Sequence, residues 1–154
     1  MNDFIRTILK QNGWDYRTYL LMREEYGKKI KKAYLKYSFP ITAEMEESLS
    51  LFYNMKFRYN ISFNKYVSNM LLCFDIKKSS KYKQEDLDWQ AQKFGVSSVI
   101  HIADIKPGYQ NIWMDESEGI WGDFENEICY YGSSLFEGIE NIINNKCIIK
   151  RRVD

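Results

Sequence analysis

The sequence predicts an α+β domain in which helices pack on a central, mostly antiparallel sheet of about six strands. Three observations lead there. Ser98 to Tyr131, SVIHIADIKPGYQNIWMDESEGIWGDFENEICYY, reads as short aromatic or β-branched strands separated by turn signals. Most flanking segments instead place apolar residues at helical spacing. Helices and strands are also segregated along the chain, whereas a doubly wound parallel sheet needs them to alternate.

Taken in order, Phe4, Ile5, Ile8 and Leu9 share one side of a helix from Asp3 to Gln11, which Asn12-Gly13 stops. Trp14 follows as a packing residue. Met22, Tyr26, Ile30, Ala33 and Tyr37 form a stripe over Thr18 to Tyr37, the longest predicted helix. Gly27 inside it costs about 1 kcal/mol relative to alanine and is a candidate break or bend. The pattern ends at Phe39-Pro40, where the pre-proline position disfavours helix. Thr42 then suits an N-cap, with Glu44, Glu46 and Glu47 in the early turns and Met45, Leu49, Phe52 and Tyr53 inward.

Lys56 to Tyr59 alternates as a half-buried strand, Asn60 to Asn64 reads as a turn or loop, and Tyr66 to Phe74 reads as a second strand. A helix over Gln84 to Phe94 turns Leu87, Ala91 and Phe94 inward and ends at Gly95. In the meander, Val99 to Ala103, Asn111 to Met114, Ile120 to Phe124 and Glu127 to Tyr131 supply strands. Lys106-Pro107-Gly108 and Asp115 to Gly119 supply two of the turns between them. Ser134-x-x-Glu137 forms a capping box ahead of Ile139, Ile142 and Ile143, the mark of a closing helix.

At 154 residues the chain fits one domain spanning 1–154, and 45% hydrophobic with 28% charged residues argues against disorder. No apolar run approaches a membrane span, and the N-terminus lacks a cleavable signal's continuous apolar core. Cys73, Cys129 and Cys147 are widely spaced without a CxxC pair, which suggests neither a disulfide framework nor a zinc site. A cytoplasmic protein is expected. The 12 tyrosines are compatible with an aromatic interaction surface, but the composition of an AT-rich genome explains them more simply.

No set of residues points to catalysis. His101, the only histidine, has no serine or cysteine motif beside it and reads as a structural or surface-facing sheet residue. Asp115-x-Ser117-x-Gly119 is like the start of a calcium loop, but Ile120 and Asn126 stand where that loop needs Gly and Glu. Phosphate-loop, dinucleotide, zinc-protease and nucleophile-elbow motifs are missing, and pairs such as Asp115 with Glu118 or Asp123 with Glu125 read as solvated hairpin carboxylates. No metal and no cofactor is expected.

Charge distribution says more. The net charge is only +1, yet Pro107 to Asn145 holds no Lys or Arg while carrying Asp115, Glu116, Glu118, Asp123, Glu125, Glu127, Glu137 and Glu140. Lysines crowd Lys28, Lys29, Lys31, Lys32 and Lys36, where a solvated helix face explains them better than nucleic acid at this neutral balance. With Tyr109, Trp113 and Trp121 interleaved, the acidic meander reads either as a sheet with a polar outer face or as an interface for a basic partner.

A resemblance extends this reading. Gly13-Trp14, Phe57-Arg58-Tyr59, Cys73-Phe74-Asp75, Phe94-Gly95, Ile100 to Ala103, Ile112-Trp113-Met114-Asp115, Gly119-Ile120 and Gly132-Ser133-Ser134-Leu135-Phe136-Glu137-Gly138-Ile139 resemble the SUKH superfamily, in its third, bacterial subgroup. The Lys-rich helix and the segment Asn60 to Asn69 look longer than in that subgroup. The resemblance implies an immunity protein that binds and neutralises a secreted polymorphic toxin, often a nuclease, with no catalytic residues of its own. The surface expected to hold the toxin includes Trp113, Asp115, Glu116, Glu118, Trp121 and Asp123, with neither nucleic acid nor membrane as a direct partner. A regulatory interaction scaffold and a small carboxylate-dependent hydrolase are the rival classes.

Overall fold

The structure is a computed structural model that describes residues 1–153. Helix starts follow the local chemistry. Asn2 Oδ1 accepts from the Ile5 amide at 2.9 Å and opens α1 (Asp3–Gln11). Asp15 and Thr42 do the same for Thr18 and Met45 at the heads of α2 (Tyr16–Tyr34) and α3 (Ala43–Leu51). α2 is thus shifted from the predicted Thr18–Tyr37. Gly27 does not break it: it is buried within the helix, where a Cβ would meet the mobile end of the Glu46 side chain of α3 at 2.7 Å.

The chain then forms β1 (Lys56–Phe63) and β2 (Tyr66–Cys73), paired from Lys56↔Cys73 to Phe63↔Tyr66. The loop expected at Asn60 to Asn64 is mostly strand. Reversal is confined to Asn64-Lys65, with Asn64 at φ 54°, a left-handed position that asparagine tolerates. α4 (Ile76–Ser79), capped by Asp75, was not predicted; α5 (Gln84–Phe94) was, with Gly95 at φ 78° ending it. The meander follows as β3 (Val99–Lys106), β4 (Gln110–Asp115), β5 (Ile120–Phe124) and β6 (Glu127–Gly132).

α6 (Leu135–Ile143) starts where Ser134 accepts from the Glu137 amide. Only half of the expected capping box forms, because Glu137 turns back to the amide and hydroxyl of Ser133 at 2.7 and 2.8 Å. The chain then adds β7 (Ile149–Arg152), an unpredicted strand with little apolar character. Pairing with β6 supplies what its composition lacks: Ile148 donates to Tyr130 O, and Lys150 meets Glu127 at 3.0 Å. Cys129 and Cys147 are disulfide-bonded with Cα atoms 5.7 Å apart. That corrects the reading of these cysteines as unpaired; α6 reverses the chain and brings two distant thiols together. Cys73 is free and buried.

Among the described residues, seven strands form one curled antiparallel sheet in sequence order, one strand more than expected. Register separates its faces. Met114 pairs with Ile120 and Trp113 with Trp121, so the two pairs point to opposite sides. On one side Ile120 lies under Gly138 of α6, which touches β1, β5 and β6 and is backed by α1. On the other, Trp121 lies under Phe94 of α5, while α4 and α5 pack on β3. β3 is therefore buried on both faces from Val99 to Ile105. Among the described residues no helix is long and apolar enough to cross a membrane.

Candidate protein-binding face

Strand parity brings four of the six expected binding residues together. Trp113 pairs with Trp121 and Asn111 with Asp123, so Trp113, Asp115, Trp121 and Asp123 share the face beneath α5. They are bound to one another. Trp113 Nε1 donates to Asp123 Oδ1 at 2.6 Å, and Trp121 Nε1 donates to Asp115 Oδ2 at 2.7 Å. The other Asp115 oxygen accepts from the Ser117 and Gly119 amides, both at 2.8 Å, which shapes the β4–β5 turn. The Phe94 ring stacks on Trp121, 5.1 Å away at 14°, and the Arg151 guanidinium lies 5.7 Å from the Trp121 ring centre. Asp123 also lies 3.4 Å from Lys93 Nζ.

Trp113 and Asp115 are buried, and Trp121 and Asp123 partly so. These side chains support a surface more than they form one. Glu116 and Glu118 sit in the β4–β5 turn at its margin, partly exposed. Glu116 accepts from the Ser97 and Ser98 amides at 3.1 and 3.0 Å. Burial works to raise its carboxyl, but the amides of Glu116 itself, Ser98 and Ser97 outweigh that and hold it below the ordinary range.

The outer surface of the same layer belongs to α5. Leu87, Gln90, Ala91 and Phe94 face inward, which leaves Trp89 62% exposed on a helix that also exposes Glu85, Asp86 and Asp88, with the Lys93 ammonium 5.4 Å over its ring. Beside it, an open cleft of about 380 Å³ runs between Trp89, Gln92 and Lys93 on α5 and Glu125-Asn126 in the β5–β6 turn. Sequence reasoning missed Trp89. Its signal was available: a tryptophan standing off the Leu87–Ala91–Phe94 stripe has no core to enter.

The fold also gives His101 a serine. Ser79 Oγ lies 2.8 Å from His101 Nδ1, and His101 Nε2 lies 3.1 Å from Asp104 Oδ1, while Lys78 Nζ meets Asp104 Oδ2 at 2.6 Å. Burial works to raise the Asp104 carboxyl, yet His101 and Lys78 hold it below its ordinary value. These are the separations of a nucleophile, base and carboxylate set. Ser79 and His101 are each only 1% exposed, however, and Tyr82 and Trp113 lie against the imidazole. The Tyr82 hydroxyl is pushed up to about 12 by burial first and then by the charges of Asp104, Asp123 and Asp86. Tyr34 OH donates to His101 O at 2.7 Å, so the cluster ties α2 and α4 to β3.

Among the described residues no group of three or more His, Cys, Asp and Glu side chains is placed to hold a metal ion. Compared with known protein families, curated proteins and solved structures, the chain matches none.

Proposed function

We propose that the chain is an immunity protein that captures a basic secreted toxin on the acidic face made by α5 and the adjoining β4–β5 and β5–β6 turns. Exposed Trp89 on the helix that also exposes Glu85, Asp86 and Asp88 is the observation that carries this reading. Tryptophan is a favoured interface anchor because it buries a large rigid surface at small entropic cost, and surrounding carboxylates speed encounter with a cationic partner. Glu116, Glu118 and Glu125 extend the field, and the resemblance to SUKH proteins supplies the class of partner. Trp113, Asp115, Trp121 and Asp123 contribute from beneath by holding strand and turn in place.

A toxin domain with a basic substrate cleft fits such a face by charge complementarity. The test measures association of this chain with the toxic C-terminal domain encoded beside its gene, over a range of salt. Binding should slow as salt rises, and E85K/D88K should both slow association and flatten the salt dependence. Unchanged association in E85K/D88K would remove α5 from the interface, and absence of binding would remove the reading itself.

A further inference from the structure

The β1–β2 hairpin leaves the sheet before it ends. β2 pairs with β3 only over Leu71 to Cys73, so among the described residues Tyr66 to Met70 run on without a third strand. Parity identifies the backbone groups this opens. The Arg58 amide points away from β2, because it donates to Asn12 Oδ1 at 3.3 Å. Its register partner Leu71 therefore points away from β1, and so, two and four residues earlier, do Asn69 and Val67. With β3 gone, the edge amides and carbonyls of Val67 and Asn69 have no strand beside them.

A groove of about 510 Å³ lies along this edge, lined among others by Arg58, Asn60, Asn69, Leu71, Lys106 and Pro107. Arg58 and Lys106 both register on Leu71, one strand to either side, so two cations flank one point of the groove. Neither makes an ion pair among the described residues, and Lys56 to Phe74 contains no Asp or Glu at all. Val67 stands exposed on the face that carries Arg58, Asn69 and Leu71, and Phe63, Tyr66 and Tyr109 are exposed at the two neighbouring turns. The chain thus joins an open strand edge and unpaired positive charge at one place, opposite in sign to the acidic α5 face.

We propose that the open edge of β2 receives an extended acidic segment of a partner protein, added as a strand whose carboxylates lie between Arg58 and Lys106. An added strand satisfies the Val67 and Asn69 backbone groups, which a nucleic acid would leave unpaired. Its alternate side chains reach the groove face, where Val67, Asn69 and Leu71 lie on β2. A second copy of the hairpin would bring Arg58 and Lys65 toward like charges, so an acidic partner fits better. The site does not depend on the toxin reading.

The probe is a fluorescein-labelled heptapeptide alternating Glu and Val, with a Lys and Val counterpart, titrated against the full chain by anisotropy at low salt. The acidic peptide should bind and the basic one should not. R58E/K106E, a surface change, should weaken binding by about tenfold or more. V67P removes an edge N–H that β1 does not use and should also weaken it, and hydrogen exchange at the Asn69 amide should slow on binding. Equal binding of both peptides, or binding unaffected by R58E/K106E, overturns the proposal. Binding of oligo(dT) in place of the acidic peptide would assign the groove to nucleic acid, and a dimer abolished by R58E/K106E would assign it to a second copy. Either result overturns it as well.

Discussion

Two aspartates decide what the central face can do. Asp115 accepts three hydrogen bonds, from the Ser117 and Gly119 amides and the Trp121 indole, and Asp123 takes the Trp113 indole and faces Lys93. Asp115→Ala leaves three donors without their charged acceptor and should cost about 2–4 kcal/mol, read as a lower urea midpoint. A loss of binding in that variant would report on folding rather than on contact. The composition of this face was legible in the sequence, but its internal pairing was not, because which indole meets which carboxylate depends on strand register and on the turn that fixes it. The same holds for Ser79 and His101, which tertiary structure brings to 2.8 Å from 22 positions apart.

Asp104 gives a signed pH dependence. Its folded pKa lies below the ordinary 3.8, so the ionised carboxylate stabilises the fold. That contribution is whole above 3.8 and is lost as pH falls through the lower folded value. Between about pH 5 and pH 2, Asp104→Asn should therefore lose stability less steeply than the parent chain in urea titrations. Equal slopes would show that the contacts to His101 and Lys78 do not favour the charged form.

At the scale of elements, hydrophobic period and capping chemistry located α1, α3, α5, α6 and the meander, because each carries a local signal. Ser134→Ala should cost about 1 kcal/mol, since it removes the acceptor of the Glu137 amide, with thermal unfolding as the readout. β7 and the distal half of β1 were illegible for the opposite reason. Ile149–Arg152 is mostly charged and pairs only because Glu127, Cys129 and Tyr130 receive it, and Asn60 to Phe63 is strand only because β2 folds back along it. α5 shows the complementary case, in which the inward stripe is legible and the proposed anchor is the residue that departs from it. Trp89→Ala should leave stability within about 0.5 kcal/mol, because the ring is exposed, while weakening partner binding by about 2 kcal/mol or more. Paired calorimetric and unfolding measurements separate the two.

Across the whole molecule, a net charge of +1 conceals a span from Pro107 to Asn145 without a cation and a hairpin from Lys56 to Phe74 without an anion. The first runs through the meander and meets α5, and the second projects past β3. Such a division suits a protein whose work is selective association, because each face rejects partners of its own sign as effectively as it attracts the other. The most direct test of the toxin-neutralising account is growth of cells that produce the neighbouring toxin domain together with this chain. The account predicts that the wild-type chain restores colony formation and that E85K/D88K/W89A, folded and equally abundant, does not. Failure of the wild-type chain to restore growth, or full protection by the triple variant, would contradict it.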